Sequence, residues 1–348
     1  MRLEPVASRT MARTLGLPAL ALAGTVVVAS LLAMLAGANP FATLGLILKG
    51  AAGSKFALLE TLNRATPLIF TGLAVAVAFR AKLWNIGAEA QLYAGALVTV
   101  LIGTKLGLSG PVAIPIMGVG AVIAGALMLL VPVILKVRLG VDEVVTTLLF
   151  NFIMLLFISM LLEGPLKDPM GMGWPKSEAL DRDMRLPRIV EGLRLHWGFA
   201  LGLIAAVLVW ILQSRTTLGF EIRAVGLNPN AARFAGIPIR AVLLKTALLS
   251  GGLAALAGYS EVAGLKGNLT LDLSPGFGYT GIIVAMLALL HPLGVVVSAI
   301  FVAGVFVGTD SMSRAAEVPT YIADMALATA LLFMVLAILL TNFRIVRG

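Results

Sequence analysis

Charged residues are sparse in this chain and fall in clusters, and between the clusters lie apolar runs at 15–36, 66–79, 90–103, 111–135, 144–162, 198–212, 241–263, 281–290, 293–308 and 321–340. Crossing a hydrocarbon layer of ~30 Å at ~1.5 Å per residue takes about 20 residues in a helix. Runs of that order recur along the whole length, so the pattern predicts an all-α fold: a polytopic transmembrane helical bundle of about eight to ten spans, with room for discontinuous helices. Residues 1–348 then form a single membrane domain. The composition agrees. Of 348 residues 59% are hydrophobic and 12% charged, far from the roughly half-apolar, quarter-charged make-up of soluble domains.

Two pairs of runs are too short for ordinary spans. Runs 66–79 and 90–103 hold 14 residues each, a reach of about 21 Å, and are separated by RAKLWNIGAE at 80–89. The later pair, 281–290 and 293–308, is interrupted by HPLG at 291–294. Short, Gly- or Pro-interrupted segments in both halves of a chain are the mark of broken helices that line a solute path. Irregular backbone survives at membrane depth only where protein or water satisfies it. The alternative is a thin hairpin with a cytoplasmic turn, which Arg80 and Lys82 would suit. Both readings stay open at this point.

Charge sets the orientation. With the N-terminus inside, the loops at 80–89, 136–143 and 214–240, Lys245 and both tails hold 14 Lys and Arg against 5 Asp and Glu, while the other side is neutral with 12 of each. The net +9 is therefore all on one face, and the positive-inside rule places both termini in the cytoplasm. Topology accounts for the basic excess, so nucleic acid is not expected as a partner; membrane lipid is. The first run ends in AMLAGA, as a signal peptide might, but its 22 residues exceed a signal h-region and read as an uncleaved anchor helix. With no cysteine and two histidines, at 196 and 291, neither a disulfide nor a His- or Cys-ligated metal is expected.

Within 214–240 the sequence GFEIRAVGLNPNAARFAGI, at 219–237, interrupts the greasy pattern. Asn228 is a good N-cap, Pro229 stands at the first helical position and Gly236 with Pro238 stops the chain. The stretch predicts a short cytoplasmic helix that projects Arg233 and Phe234 from a base of alanines, a shape suited to a groove on a protein partner. No G-x-x-x-x-G-K-[ST] occurs; GAAGSK at 50–55 has the wrong spacing, so any ATP must be held by another chain.

Four stretches together, GLAVAVAFRAKLWNIGAEAQLYAGA at 72–96, VDEVVTTLLFNFI at 141–153, TTLGFEIRAVGLNPNAARFAGI at 216–237 and GFGYTGIIVAMLALLHPLG at 276–294, resemble the bacterial inner-membrane permease subunits of ATP-binding-cassette importers. The resemblance is to the branched-chain amino acid, ribose and simple-sugar superfamily, and most of all to its nucleoside-uptake branch. It implies a permease domain over the whole chain, with 164–197 as an extracytoplasmic loop and 214–240 as a cytoplasmic coupling loop. It implies that 228–237 is similar to a coupling helix seated in a separate cytoplasmic ABC ATPase, which would hold the ATP and Mg; no cofactor is expected in this chain. Glu221, Arg223, Asn228, Pro229, Arg233, Phe234 and Gly236 carry that expectation. A second, homologous permease subunit and an extracytoplasmic solute-binding protein are the other implied partners, and a nucleoside or simple sugar the implied solute. Ala288 and Leu289 depart from the pattern, because relatives often carry glycine or polar residues there.

Candidate path residues are Asn85, Glu89, Gln91, Asn151, Glu261 and Tyr279, polar groups on otherwise apolar segments. Glu89 could instead pair with Arg80 or Lys82, while Glu60 and Arg64, spaced i,i+4, read as an ion pair that extends the second helix on the outer side. Asp142 and Glu143 suit a helix N-terminus. Phe277 and Tyr279 could stack on a flat base or anchor at a membrane boundary. A rival reading is an ion-coupled secondary transporter with Glu89, Glu261, Asp310 and Asp324 as the relay. No nucleophile and base lie at usable spacing, so no catalytic residue is expected.

Overall fold

The computed structural model describes residues 2–5, 39–315 and 343–346, with isolated positions within 24–34 and 325–337. The anchor and last-span expectations at 15–36 and 321–340, and Asp324, therefore fall almost wholly outside the described residues. The chain forms two compact units, 62–299 and the pair 1–61 with 300–348.

At the centre of the larger unit is α2 (Lys55–Arg80), where every residue of 65–79 is buried. A helix apolar all round belongs in a core. The same unit holds α3 (Ala88–Lys105), α4 (Gly110–Leu139), α5 (Glu143–Glu163), α6 (Gly198–Arg215) and α9 (Ile239–Ser260). The peripheral helices are amphipathic in the sense a bilayer demands. On α4, Val112, Ile116, Val119, Ile123, Leu127 and Val131 form an exposed stripe, while on α5 the buried stripe begins Glu143, Thr147, Asn151. Polar groups turn inward and large apolar ones outward.

Glycine sets the closeness of the central packing. A Cβ on Gly125 of α4 would strike the carbonyl of Gly251 on α9, and the reverse holds for Gly251 against Gly125. Gly95 of α3 meets the Ala255 carbonyl and Gly258 of α9 that of Leu92. Three helices thus touch backbone to backbone, a packing open only to small residues.

After α9 the chain tightens into a π-helical turn (Glu261–Lys266) ended by Gly267 at φ +78, then enters α10 (Phe277–Leu287) and α11 (Pro292–Ala315). In the smaller unit α1 (Pro40–Ala52) lies against α11: Gly308 abuts the Ile47 carbonyl and Gly304 faces Ala51 and Thr61. Strands β1 (Arg2–Pro5) and β2 (Phe343–Val346) pair antiparallel with Arg2 opposite Val346, a minor addition to an otherwise helical fold.

Two expectations of length need correction. The segment read as 66–79 belongs to a helix of 26 residues, and 90–103 to one of 18. The helix runs on through Lys55, Glu60 and Arg64 at one end, and charges are good helix formers that end an apolar run without ending a helix. The break itself stands: 81–87 is irregular, with Ala81, Leu83 and Asn85 buried. The later short segment also stands, since α10 has 11 residues. The turn after it holds Leu289 at φ 50 and Leu290 at φ 59, the left-handed region that glycine occupies without strain. That backbone explains why glycine suits position 289.

Candidate functional site

The polar interior gathers where α2 hands over to α3. Leaving α2, the chain takes Lys82 at φ 52 and turns back into the bundle. Asn85 then acts as its internal brace: Nδ2 donates to Gln91 Oε1 and Ser250 Oγ, both at 3.0 Å, and Oδ1 accepts from Gln91 Nε2 at 2.9 Å and from Gly87 N at 3.0 Å. Ser250 passes its own proton to the Ala74 carbonyl at 2.7 Å. α5 supplies the outer clamp. Asn151 Oδ1 accepts from Ala90 N at 2.9 Å, and Nδ2 donates to the Ile86 carbonyl at 2.9 Å and to the Tyr279 hydroxyl at 3.0 Å. Thr147 Oγ1 accepts from Ile86 N at 3.3 Å, and Glu143 Oε1 from Trp84 N at 3.3 Å, while Lys136 pairs with the same carboxylate. In a low-dielectric interior each backbone group of an irregular segment needs a partner. These side chains are those partners.

Glu89 does not pair with Arg80 or Lys82. Its Oε2 accepts from Gly278 N at 2.6 Å, in the first turn of α10, where free amides and the helix dipole favour a carboxylate. Phe277 is fully buried, with the Arg64 guanidinium 5.2 Å from its ring centroid, so it is no boundary anchor. Tyr279 is tied to Asn151. Asn85, Gln91, Asn151 and Tyr279 thus form one hydrogen-bonded network, and Glu89 joins the same helix ends from the other side. Glu261 is not brought to it: it is 2% exposed in the π turn, where an open vestibule had been expected. Asp142 does cap α5, accepting from Val144 N and Val145 N. Ser250, Asn63 and the Arg64–Phe277 pair are the contributions that reading by segment missed. The signal for Ser250 was a hydroxyl among the glycines of an apolar helix.

At another place α7 (Thr217–Leu227) is followed by α8 (Pro229–Phe234). Asn228 Oδ1 accepts from Asn230 N at 3.0 Å and Ala231 N at 3.1 Å, Pro229 occupies N1, and Gly236 leaves at φ +79. Ala232 is buried, while Arg233 is exposed and Phe234 is 95% exposed. Arg223 points back, donating to the Gln213 carbonyl, and so fastens α7 to α6. Gly226 lies directly on the Arg80 carbonyl at the end of α2.

The segment 164–197 is laid across 263–270. Ser177 N donates to the Leu269 carbonyl at 3.0 Å, Leu180 N to that of Gly267 at 2.7 Å and Leu186 N to that of Ala263 at 2.8 Å. His196 is fully buried. Its Nδ1 accepts from Gly198 N at 3.1 Å, and burial pushes its pKa down to about 4. Arg182, Arg185 and Arg188 line a cavity of about 480 Å³. Three acids of the segment are engaged elsewhere: Glu178 with Lys105 at 3.0 Å, Asp168 with Lys176 at 3.4 Å, and Asp183 with Gly110 N at 3.1 Å. Among the described residues no cluster of three or more His, Asp or Glu is placed to hold a metal ion.

Among the described residues six helices are long and apolar enough to span a bilayer, and with a polar-lined break in their midst they define a multi-pass membrane protein of the permease class. Residues 57–340 match the family described as "Branched-chain amino acid transport system / permease component", and the chain belongs to that family. It is 32% identical over 340 residues to the glucose ABC transporter permease protein TsgB13 of Haloferax volcanii, covering 95% of this chain and 89% of that one. It is 36% identical over 281 residues to the guanosine ABC transporter permease protein NupP of Bacillus subtilis, covering 79% of each. With NupQ, another guanosine ABC transporter permease protein of B. subtilis, it shares 27% identity over 248 residues, 69% of this chain and 77% of that one.

Proposed function

We propose that this chain is the passive conduit of an ATP-powered importer for nucleosides, lying in the bacterial inner membrane with both termini cytoplasmic. The whole of 1–348 is one permease domain, with 164–197 outside and 214–240 inside. The observation that carries the reading is α8: a six-residue helix, capped at one end and stopped by a left-handed glycine at the other, that leaves Phe234 95% exposed beside Arg233. An aromatic and a cation on so short a peg suit a cleft in a partner. That partner is a cytoplasmic ABC ATPase carrying the ATP and Mg. Asn228, Pro229 and Gly236 shape the peg, Arg233 and Phe234 engage the cleft, and Glu221 and Arg223 fix α7 behind them.

Antiparallel pairing of β1 with β2 supports a reading with both ends on one face of the membrane, as N-in and C-in would have them. The guanosine permeases NupP and NupQ of one organism favour a nucleoside over a sugar, and favour a second, homologous permease completing the path. Asn85, Glu89, Gln91, Asn151 and Tyr279 form the wall of that path on this subunit, with Glu261 set apart beneath the outer segment. The Arg-lined cavity at 182–188 is the seat for an extracytoplasmic solute-binding protein. Relatives of this kind lend no support to an ion-driven relay.

The test is copurification of the ATPase with the full chain from membranes. Arg233→Glu with Phe234→Ala is expected to lower ATPase recovery about tenfold or more with membrane insertion unchanged. Full recovery would refute the peg.

A further inference from the structure

We infer that Asn63 is a solute-contacting residue on the transport route and that it reads the donor–acceptor edge of a nucleobase. The inference rests on the nucleoside reading above and adds to it the group that recognises the base.

Asn63 lies on α2 and is 1% exposed, yet neither its Oδ1 nor its Nδ2 has a hydrogen-bond partner among the described residues. The other buried, uncharged polar side chains of that helix behave differently. Thr61 donates to the Ala51 carbonyl at 2.7 Å, Thr66 to that of Leu62 at 3.2 Å and Thr71 to that of Pro67 at 3.0 Å. A buried amide with both ends unmet is costly, and native interiors rarely keep one without a reason. The backbone repeats the feature. Pro67 stands four residues on, inside the helix, and carries no N–H, so the ladder bond that would end on the Asn63 carbonyl is missing. One point on the central helix therefore offers a carboxamide donor, a carboxamide acceptor and a second, backbone acceptor.

The position adjoins the polar break. Arg64, the next residue, holds its guanidinium over Phe277, whose neighbour Gly278 donates to Glu89. A carboxamide presents one acceptor and an N–H pair side by side, the complement of a base edge that carries a donor next to an acceptor. It is also uncharged, so it can bind a neutral solute and still let it go.

The test uses the full importer in membrane vesicles, with uptake of labelled adenosine, guanosine, uridine and glucose, and thermal unfolding of the purified chain. Asn63→Leu, near-isosteric and apolar, is expected to cut nucleoside uptake about tenfold or more while leaving the unfolding midpoint unchanged or higher, because it removes an unmet polar group. Asn63→Asp, which keeps shape and removes the donors, is expected to change the guanosine-to-uridine uptake ratio at least about fivefold; this variant decides the matter if Asn63→Leu fails to insert. Wild-type nucleoside uptake by Asn63→Leu overturns the assignment. So does an equal loss for every solute with an unchanged ratio, the mark of a packing role. An importer whose wild type carries glucose and no nucleoside would instead remove the substrate reading before any variant is made.

Discussion

Single side chains here act mostly on backbone. Asn151 satisfies the 86–90 segment with two hydrogen bonds and Asn85 folds the same segment upon itself, so polar groups that looked like path lining in the sequence serve as its scaffold. His196 has the opposite character. Its Nδ1 accepts from Gly198 N, and burial disfavours the charged ring, which is why its pKa falls from 6.5 to about 4. The unfolded chain takes up this proton below about pH 6.5 while the folded chain does not until about pH 4. The neutral ring's contribution is therefore fully present above pH 6.5 and is lost as pH falls between these values, by roughly 3 kcal/mol in all. A denaturation series in detergent from pH 7.5 to 4.5 is expected to show that slope, and His196→Gln to flatten it. Residue types in this region were legible from the sequence, but their pairing was not. Asn85 with Ser250 joins positions 165 apart, and no local spacing announces such a contact.

Elements were easier to read than their ends. The helical bundle, the short α10 and the capped α8 follow from apolar run length, Asn-Pro and Gly signals. The true length of α2 follows in part: Glu60 and Arg64, spaced i,i+4, carry it beyond the apolar run that begins at 66, but nothing in the run marks its start at Lys55. Glycine spacing gave only a general hint of close packing; which glycines meet depends on how α3, α4 and α9 cross. Gly251 makes the strongest case, since any side chain there must displace the Gly125 carbonyl. Gly251→Leu is expected to cost roughly 2–3 kcal/mol, read as a lower unfolding midpoint of the purified chain, whereas Gly45, with nothing near its Cβ position, should accept alanine with little change.

At the level of the whole molecule, the family was legible from four sequence stretches and the short capped helix at 229–234 from its Asn-Pro and Gly signals, whereas which polar side chains meet was not, because they come from helices far apart in the chain. On the segment 164–197, Glu178, Asp168 and Asp183 are committed to Lys105, Lys176 and the Gly110 amide, while Arg182 and Arg188 line the cavity. Arg182→Glu with Arg188→Glu should weaken capture of the cognate solute-binding protein about tenfold at low salt and leave ATPase recovery intact, both read by pull-down with the purified importer. The bare contact of Gly226 with the Arg80 carbonyl gives a different consequence. With no side chain between them to yield, a force applied to α8, on the docking role proposed for it above, would pass through α7 undamped into the end of α2.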